Sequence, residues 1–145
     1  MISNMVVFNS SLEAGVRTIC FLDSYFPGYM DFDSLMKIDF ILVHSGDFGG
    51  PESLHPITPN RKGEYFSRRE KVRAGLDLMI NFGFIEIEYT NKGVFYKVSE
   101  HVNPYLNLMK CNYSLALIKV SEWLANELNK NGFEQLNTAL ENKVF

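Results

Sequence analysis

Apolar residues recur along most of the chain at helical intervals, and in one short stretch at alternate positions. Leu12, Val16, Ile19 and Cys20 fall on one face of a helix. Ser10 followed by Glu13 has the spacing of a capping box, and Pro27 and Gly28 close the pattern, so a first helix is predicted over about 11–26. Asp31 can cap a second helix in which Leu35, Ile38 and Leu42 form one stripe and Met36, Phe40 and Val43 another. A helix apolar on so much of its circumference belongs at the centre of a core. Ser67 reads as the cap of a third helix, with Val72, Leu76, Met79 and Ile80 facing inward and Gly83 as its stop.

The period then changes. FIEIEYTNKGVFYKV, residues 84–98, alternates aromatic or β-branched residues with charged ones around a TNKG centre, the pattern of a β-hairpin with a tight turn. Pro104 restarts the chain, and Leu117, Val120, Leu124 and Leu128 predict a long amphipathic helix over 113–129 ended by Gly132. A short final helix carries Phe133, Leu136 and Leu140. The expected fold is α+β and mainly helical: a winged-helix domain, three helices plus a β-hairpin wing, over residues 1–103, followed by a C-terminal helical extension over 104–145 packed on it or on a partner. The loop at 45–65 is far longer than a helix-turn-helix turn, and a connection of that length in a small domain points to a functional or contact role.

Composition narrows the class. With 145 residues, 46% hydrophobic and 14% aromatic, the chain has the make-up of one folded globular domain, and no apolar run approaches the roughly 20 residues that span a bilayer. The first residues, MISNMVVFNSS, lack the basic and apolar regions of a secretory signal, so residence in the cytoplasm is expected. Neither Cys20, inside an apolar helical pattern, nor Cys111, in a polar segment, has a CxxC partner, which argues against structural zinc. The net charge of −3 opposes general nucleic-acid binding. Its distribution is uneven, however: Arg61, Lys62, Arg68, Arg69, Lys71 and Arg73 crowd one short segment against only Glu64 and Glu70. Such a cluster suits phosphates or an acidic partner surface, and equally a solvated helix face.

Candidate chemistry concentrates in LVHSGDFGGPESLHP, residues 42–56. Its glycines and prolines indicate a shaped loop rather than a floppy one. His44, Asp47, Glu52 and His55 are of the right types for a divalent metal, but their spacing matches no ligand pattern, and a Gly- and Pro-rich loop gives ligands little support. A reading in which His44 and Asp47 satisfy buried backbone groups competes with it. Ser45 or Ser53 beside a histidine lacks the GxSxG setting of a nucleophile, and the DFG at 47–49 lacks every other kinase element. No cofactor is expected. A contact reading needs no catalytic residue: His44, Asp47, Phe48, Glu52, Leu54, His55 and Ile57 then form a partner-docking loop, with the apolar ones entering a partner pocket.

FNSSLEAGVR at 8–17, DFILVHSGDFGGPESLHPITPNRKGEYFSRRE at 39–70 and GFIE at 83–86 together resemble the middle component 2 family of bacterial ABC-three-component systems. The resemblance implies a non-enzymatic middle subunit working beside an SMC-like or ABC-type ATPase and an effector, on the plan of the Lamassu antiphage systems, with DNA met through the complex; the short apolar runs point to no membrane partner. It is weakest after residue 101 and carries over no catalytic residue. A free-standing winged-helix DNA-binding regulator and a small metal-dependent hydrolase are the competing function classes.

Overall fold

The computed structural model describes residues 10–108 and 112–145, so Cys111 and the start of the FNSSLEAGVR run lie outside the described residues. The first helix, α1 (Ser11–Ser24), is capped as its sequence indicates, the Ser10 hydroxyl accepting from the Glu13 N–H at 3.1 Å. It ends two residues earlier than expected, because Pro27 disfavours helical backbone at Phe26. Asp31 caps α2 (Phe32–Val43) by accepting from the Ser34 N–H at 2.9 Å. This helix is central: Leu35, Ile38, Phe40, Ile41, Leu42 and Val43 are each almost wholly buried.

The long connection is largely structured. A 3-10 turn at Ser45–Phe48 continues α2, and a short helix, α3 (Arg61–Ser67), precedes α4 (Arg69–Asn81). The expected single helix capped by Ser67 is therefore corrected. Asn60 is the cap, accepting from the Gly63 N–H at 2.9 Å, whereas the Ser67 hydroxyl donates to the Glu64 carbonyl at 2.8 Å. Such back-bonding by a serine bends a helix. Arg68 sits at the bend, with helical φ −83° and ψ −11° but no capping side chain.

Helix α4 lies against α1 at a glycine crossing. A Cβ added at Gly75 would lie 2.4 Å from the Ser11 carbonyl oxygen and 2.5 Å from the Gly15 nitrogen, so the two backbones approach as closely as they do only because no side chain intervenes. Strands β1 (Ile85–Thr90) and β2 (Gly93–Val98) form the predicted antiparallel hairpin, in register from Ile85 opposite Val98 to Thr90 opposite Gly93. Ile85, Tyr96 and Val98 are buried on the core side.

After a short helix α5 (Val102–Leu106), helices α6 (Asn112–Asn131) and α7 (Glu134–Lys143) complete the chain, separated by Gly132 at φ +76°. Leu117, Leu124, Leu128, Leu140 and Val144 join the same apolar cluster as Ile19, Phe40, Leu76 and Val98. The C-terminal helices are thus built into the core of the preceding elements. Among the described residues the architecture is mainly helical with one small sheet. No helix among the described residues is long and apolar enough to cross a membrane.

Candidate functional site

Burying a charge is costly unless it is paired, so the charged residues that the fold places inside mark where the sequence accepted that cost. Two lie within apolar stretches. Arg17 on α1 is 2% exposed and Asp39 on α2 is also 2% exposed, and the Arg17 Nε donates to Asp39 Oδ1 at 2.7 Å. Arg68, at the bend between α3 and α4, donates to the other oxygen through Nη2 at 2.8 Å and Nε at 3.0 Å. Burial opposes the Asp39 charge, but the two guanidiniums overcome it and hold the carboxyl down at about 2.

The network continues through Glu64 of α3. Its Oε2 takes a contact of 2.6 Å from the fully buried His44 Nε2 and lies 3.5 Å from Arg68 Nη1, while its Oε1 accepts from the Thr58 hydroxyl at 2.6 Å. Burial again works against ionisation, and the Thr58 and His44 hydrogen bonds prevail, leaving the Glu64 carboxyl below its ordinary value. From His44 to Arg17 the chain of contacts ties α2, the loop, α3, the bend and α1 together.

The structure separates the four residues considered for metal binding. His44 faces Glu64, Asp47 accepts from Arg61 at 2.9 Å, and Glu52 is exposed. His55 donates its backbone N–H to the Val43 carbonyl at 3.0 Å, and its ring borders a cleft with Arg17 and Asp39. Among the described residues no group of three or more His, Cys, Asp or Glu is arranged to hold a metal ion. Ser45 and Ser53 serve the loop itself: the Ser45 hydroxyl donates to the Pro51 carbonyl at 2.8 Å and the Ser53 hydroxyl accepts from the Gly46 N–H at 3.0 Å.

The residues considered for docking divide as well. Phe48 packs edge-on against Phe40, with ring centroids 6.5 Å apart, and Leu54 packs on the core, whereas Ile57 is 63% exposed. Gly50 lies against the face of Trp123 on α6, where a Cβ would come within 2.7 Å of three ring atoms. One side of the loop is therefore covered by the C-terminal helices, and the other carries Glu52 and Ile57.

The basic cluster does not form one patch. Arg61 stacks over the Phe40 ring at 5.3 Å while pairing with Asp47, and Arg68 is turned inward. Arg69 and Arg73, one helical turn apart, share a face on which both guanidiniums lie over Phe32, at 4.9 and 5.2 Å, and Arg73 donates to the Tyr96 hydroxyl at 3.2 Å. Lys71, two residues from each, points to the other side of α4, and Lys62 is exposed on α3.

Sequence reasoning missed Asp39, Glu64, Arg17 and Thr58, four of the six residues of the network. A signal existed for two of them: a charge between Ile38 and Phe40, and another between Val16 and Ile19, break stripes that are otherwise apolar.

Comparison with known proteins gives one result. The family described as ABC-three component (ABC-3C) system Middle Component 2 matches residues 7–145. No curated protein and no solved structure matches the chain.

Proposed function

The chain belongs to the ABC-three component (ABC-3C) system Middle Component 2 family, and from that membership we propose that it is a non-catalytic accessory subunit bridging an SMC-like or ABC-type ATPase and an effector, in antiphage defence of the Lamassu kind. The observation that carries this reading is the extent of the match, which spans residues 7–145 and so includes both the loop and the C-terminal helices. The side chains of the 44–56 segment support it. His44, Ser45, Asp47 and Ser53 are occupied in holding the loop in one shape, and a preformed surface of that kind suits docking. Ile57 and Glu52 are the loop positions offered to a partner.

The winged-helix reading has its own support in a bridge outside the hairpin. Met30, between α1 and α2, exchanges backbone hydrogen bonds with Tyr96 of β2 at 3.0 and 2.8 Å, a one-residue bridge beside the hairpin where a winged helix carries its first strand. Helix α4 then occupies the recognition position, and Arg69 and Arg73 beside Tyr96 are the residues that meet DNA or an acidic surface.

The test is copurification with the products of the adjoining genes. A stoichiometric complex is expected, weakened by Ile57→Asp; a chain that stays monomeric beside all of its neighbours overturns the proposal. The same Arg69 and Arg73 face favours a second reading, a free-standing DNA-binding regulator. That reading requires a dimer that binds duplex DNA steeply with falling salt and loses binding on R69E/R73E without any partner.

A further inference from the structure

Beneath the charge network lies a cleft of about 430 Å³, in the size range of small-molecule sites. It opens between the loop and the bend. Leu54, Pro56 and Val72 supply apolar walls, and Arg17, Arg68 and Lys71 bring three cations to the lining against the carboxylates of Asp39 and Glu64.

Both carboxylates of this cleft are already paired. Asp39 Oδ1 is taken by Arg17 and Oδ2 by Arg68, while Glu64 Oε1 is taken by Thr58 and Oε2 by His44. Donors are in excess. The Lys71 ammonium has no ion-pair partner within 4.0 Å among the described residues, and the Arg68 guanidinium, which lines the cleft, has N–H groups beyond the three contacts that fix it. One positive charge remains uncompensated in the lining. The same surplus is felt by His55, whose protonation is driven down to about 4 by burial and then by Arg17 and Arg68.

A preformed cleft with paired carboxylates, spare donors and apolar walls is matched by a ligand that brings acceptors of its own. We propose that the cleft between the 54–58 segment and the bend at Arg68 binds a small organic anion, a phosphate or carboxylate with an apolar body, through Arg68 and Lys71. The anionic group meets the two cations at the lip, and the body lies along Leu54, Pro56 and Val72. This proposal does not depend on the subunit reading, since it concerns the isolated chain.

The experiment is an amide NMR titration of the full chain with phenyl phosphate, phenylacetate and benzylamine. Phenyl phosphate or phenylacetate is expected to shift Thr58, Ser67, Lys71 and Val72, and the better of the two identifies which anion the cleft prefers. Lys71→Gln, on an exposed side chain that the fold does not use, is expected to weaken that binding roughly five- to tenfold, the effect of removing one charge-assisted hydrogen bond, with Lys71→Arg restoring most of it. The proposal is overturned by no shift up to ~10 mM of either anion, a regime of affinity too weak to matter. It is equally overturned by benzylamine binding as well, by shifts confined to Arg69 and Arg73, or by affinity that Lys71→Gln leaves unchanged.

Discussion

Asp39 illustrates how one residue decides the surroundings of several others. It lies wholly inside, receives Arg17 from one side and Arg68 from the other, and without it two guanidiniums would be buried beside each other. Replacing it by asparagine removes the charge and keeps the shape. Asp39→Asn is therefore expected to cost about 3–5 kcal/mol in chemical denaturation, the range for breaking a buried ion pair from one side. The pH dependence has two windows. The Asp39 carboxyl titrates at about 2 in the folded chain and near 3.9 unfolded, so its contribution is complete above pH ~4 and is lost as the pH falls towards 2. His55 acts at higher pH: folded it titrates at about 4, unfolded near 6.5, so the unfolded chain takes up the proton first and stability declines as the pH falls from ~6.5 to ~4. The urea midpoint should fall across that upper window, and His55→Gln should flatten the fall; an unchanged slope in the variant would refute the assignment. These residues were only half legible. His44 and His55 drew notice as rare side chains in an unusual loop, but their partners lie 20 residues away or on another helix.

At the scale of elements, the helices whose apolar stripes run for several turns are where the pattern places them, as is the hairpin. The short helices α3 and α5 are the exceptions, and the composition of α3 explains its case. Seven residues containing Gly63 have little intrinsic tendency to form a helix, since short helices are marginal and glycine costs about 1 kcal/mol. Tertiary contacts supply what propensity lacks: Tyr65 is buried, Arg61 stacks on Phe40 and Glu64 reaches His44. The glycine itself keeps room for the cap, because a Cβ at Gly63 would lie 2.5 Å from the Asn60 side chain. The crossing of α1 and α4 makes the opposite point. Alanine for glycine in mid-helix normally gains about 1 kcal/mol, yet at Gly75 the new methyl would meet backbone at 2.4 Å, and overpacking of that kind costs about 1–3 kcal/mol or more. Gly75→Ala should therefore lower stability by about 2 kcal/mol, read as a reduced denaturation midpoint, while a gain would mean that the helices can separate freely.

For the molecule as a whole, the C-terminal helices are part of the same core as the helices and hairpin before them, and they also hold the loop. Trp123 is the only tryptophan, so its fluorescence reports that contact without ambiguity. Gly50→Ala pushes a methyl into the indole face and is expected to shift Trp123 emission to the red and lower the midpoint of unfolding together. An emission change with no loss of stability would show that the loop rides on α6 without being fastened by it. The same arrangement bears on assembly, because a loop clamped from behind presents Glu52 and Ile57 without paying ordering entropy on binding.

The sequence alone determined the helical class, the hairpin and its turn, the caps at Ser10 and Asp31, and the family, because each is written in short-range patterns or in consecutive residues. Tertiary structure alone decided which charges face each other. Arg17, Asp39, Glu64 and Arg68 come from four separate segments, and ionic partners are chosen by proximity in space and by the cost of leaving a buried charge alone, neither of which has a period along the chain. The six basic residues that look continuous in sequence are parted for a related reason: Arg61 and Lys62 belong to α3 and Arg68 to the bend, and on α4, where a helix turns about 100° per residue, Lys71 faces away from Arg69 and Arg73.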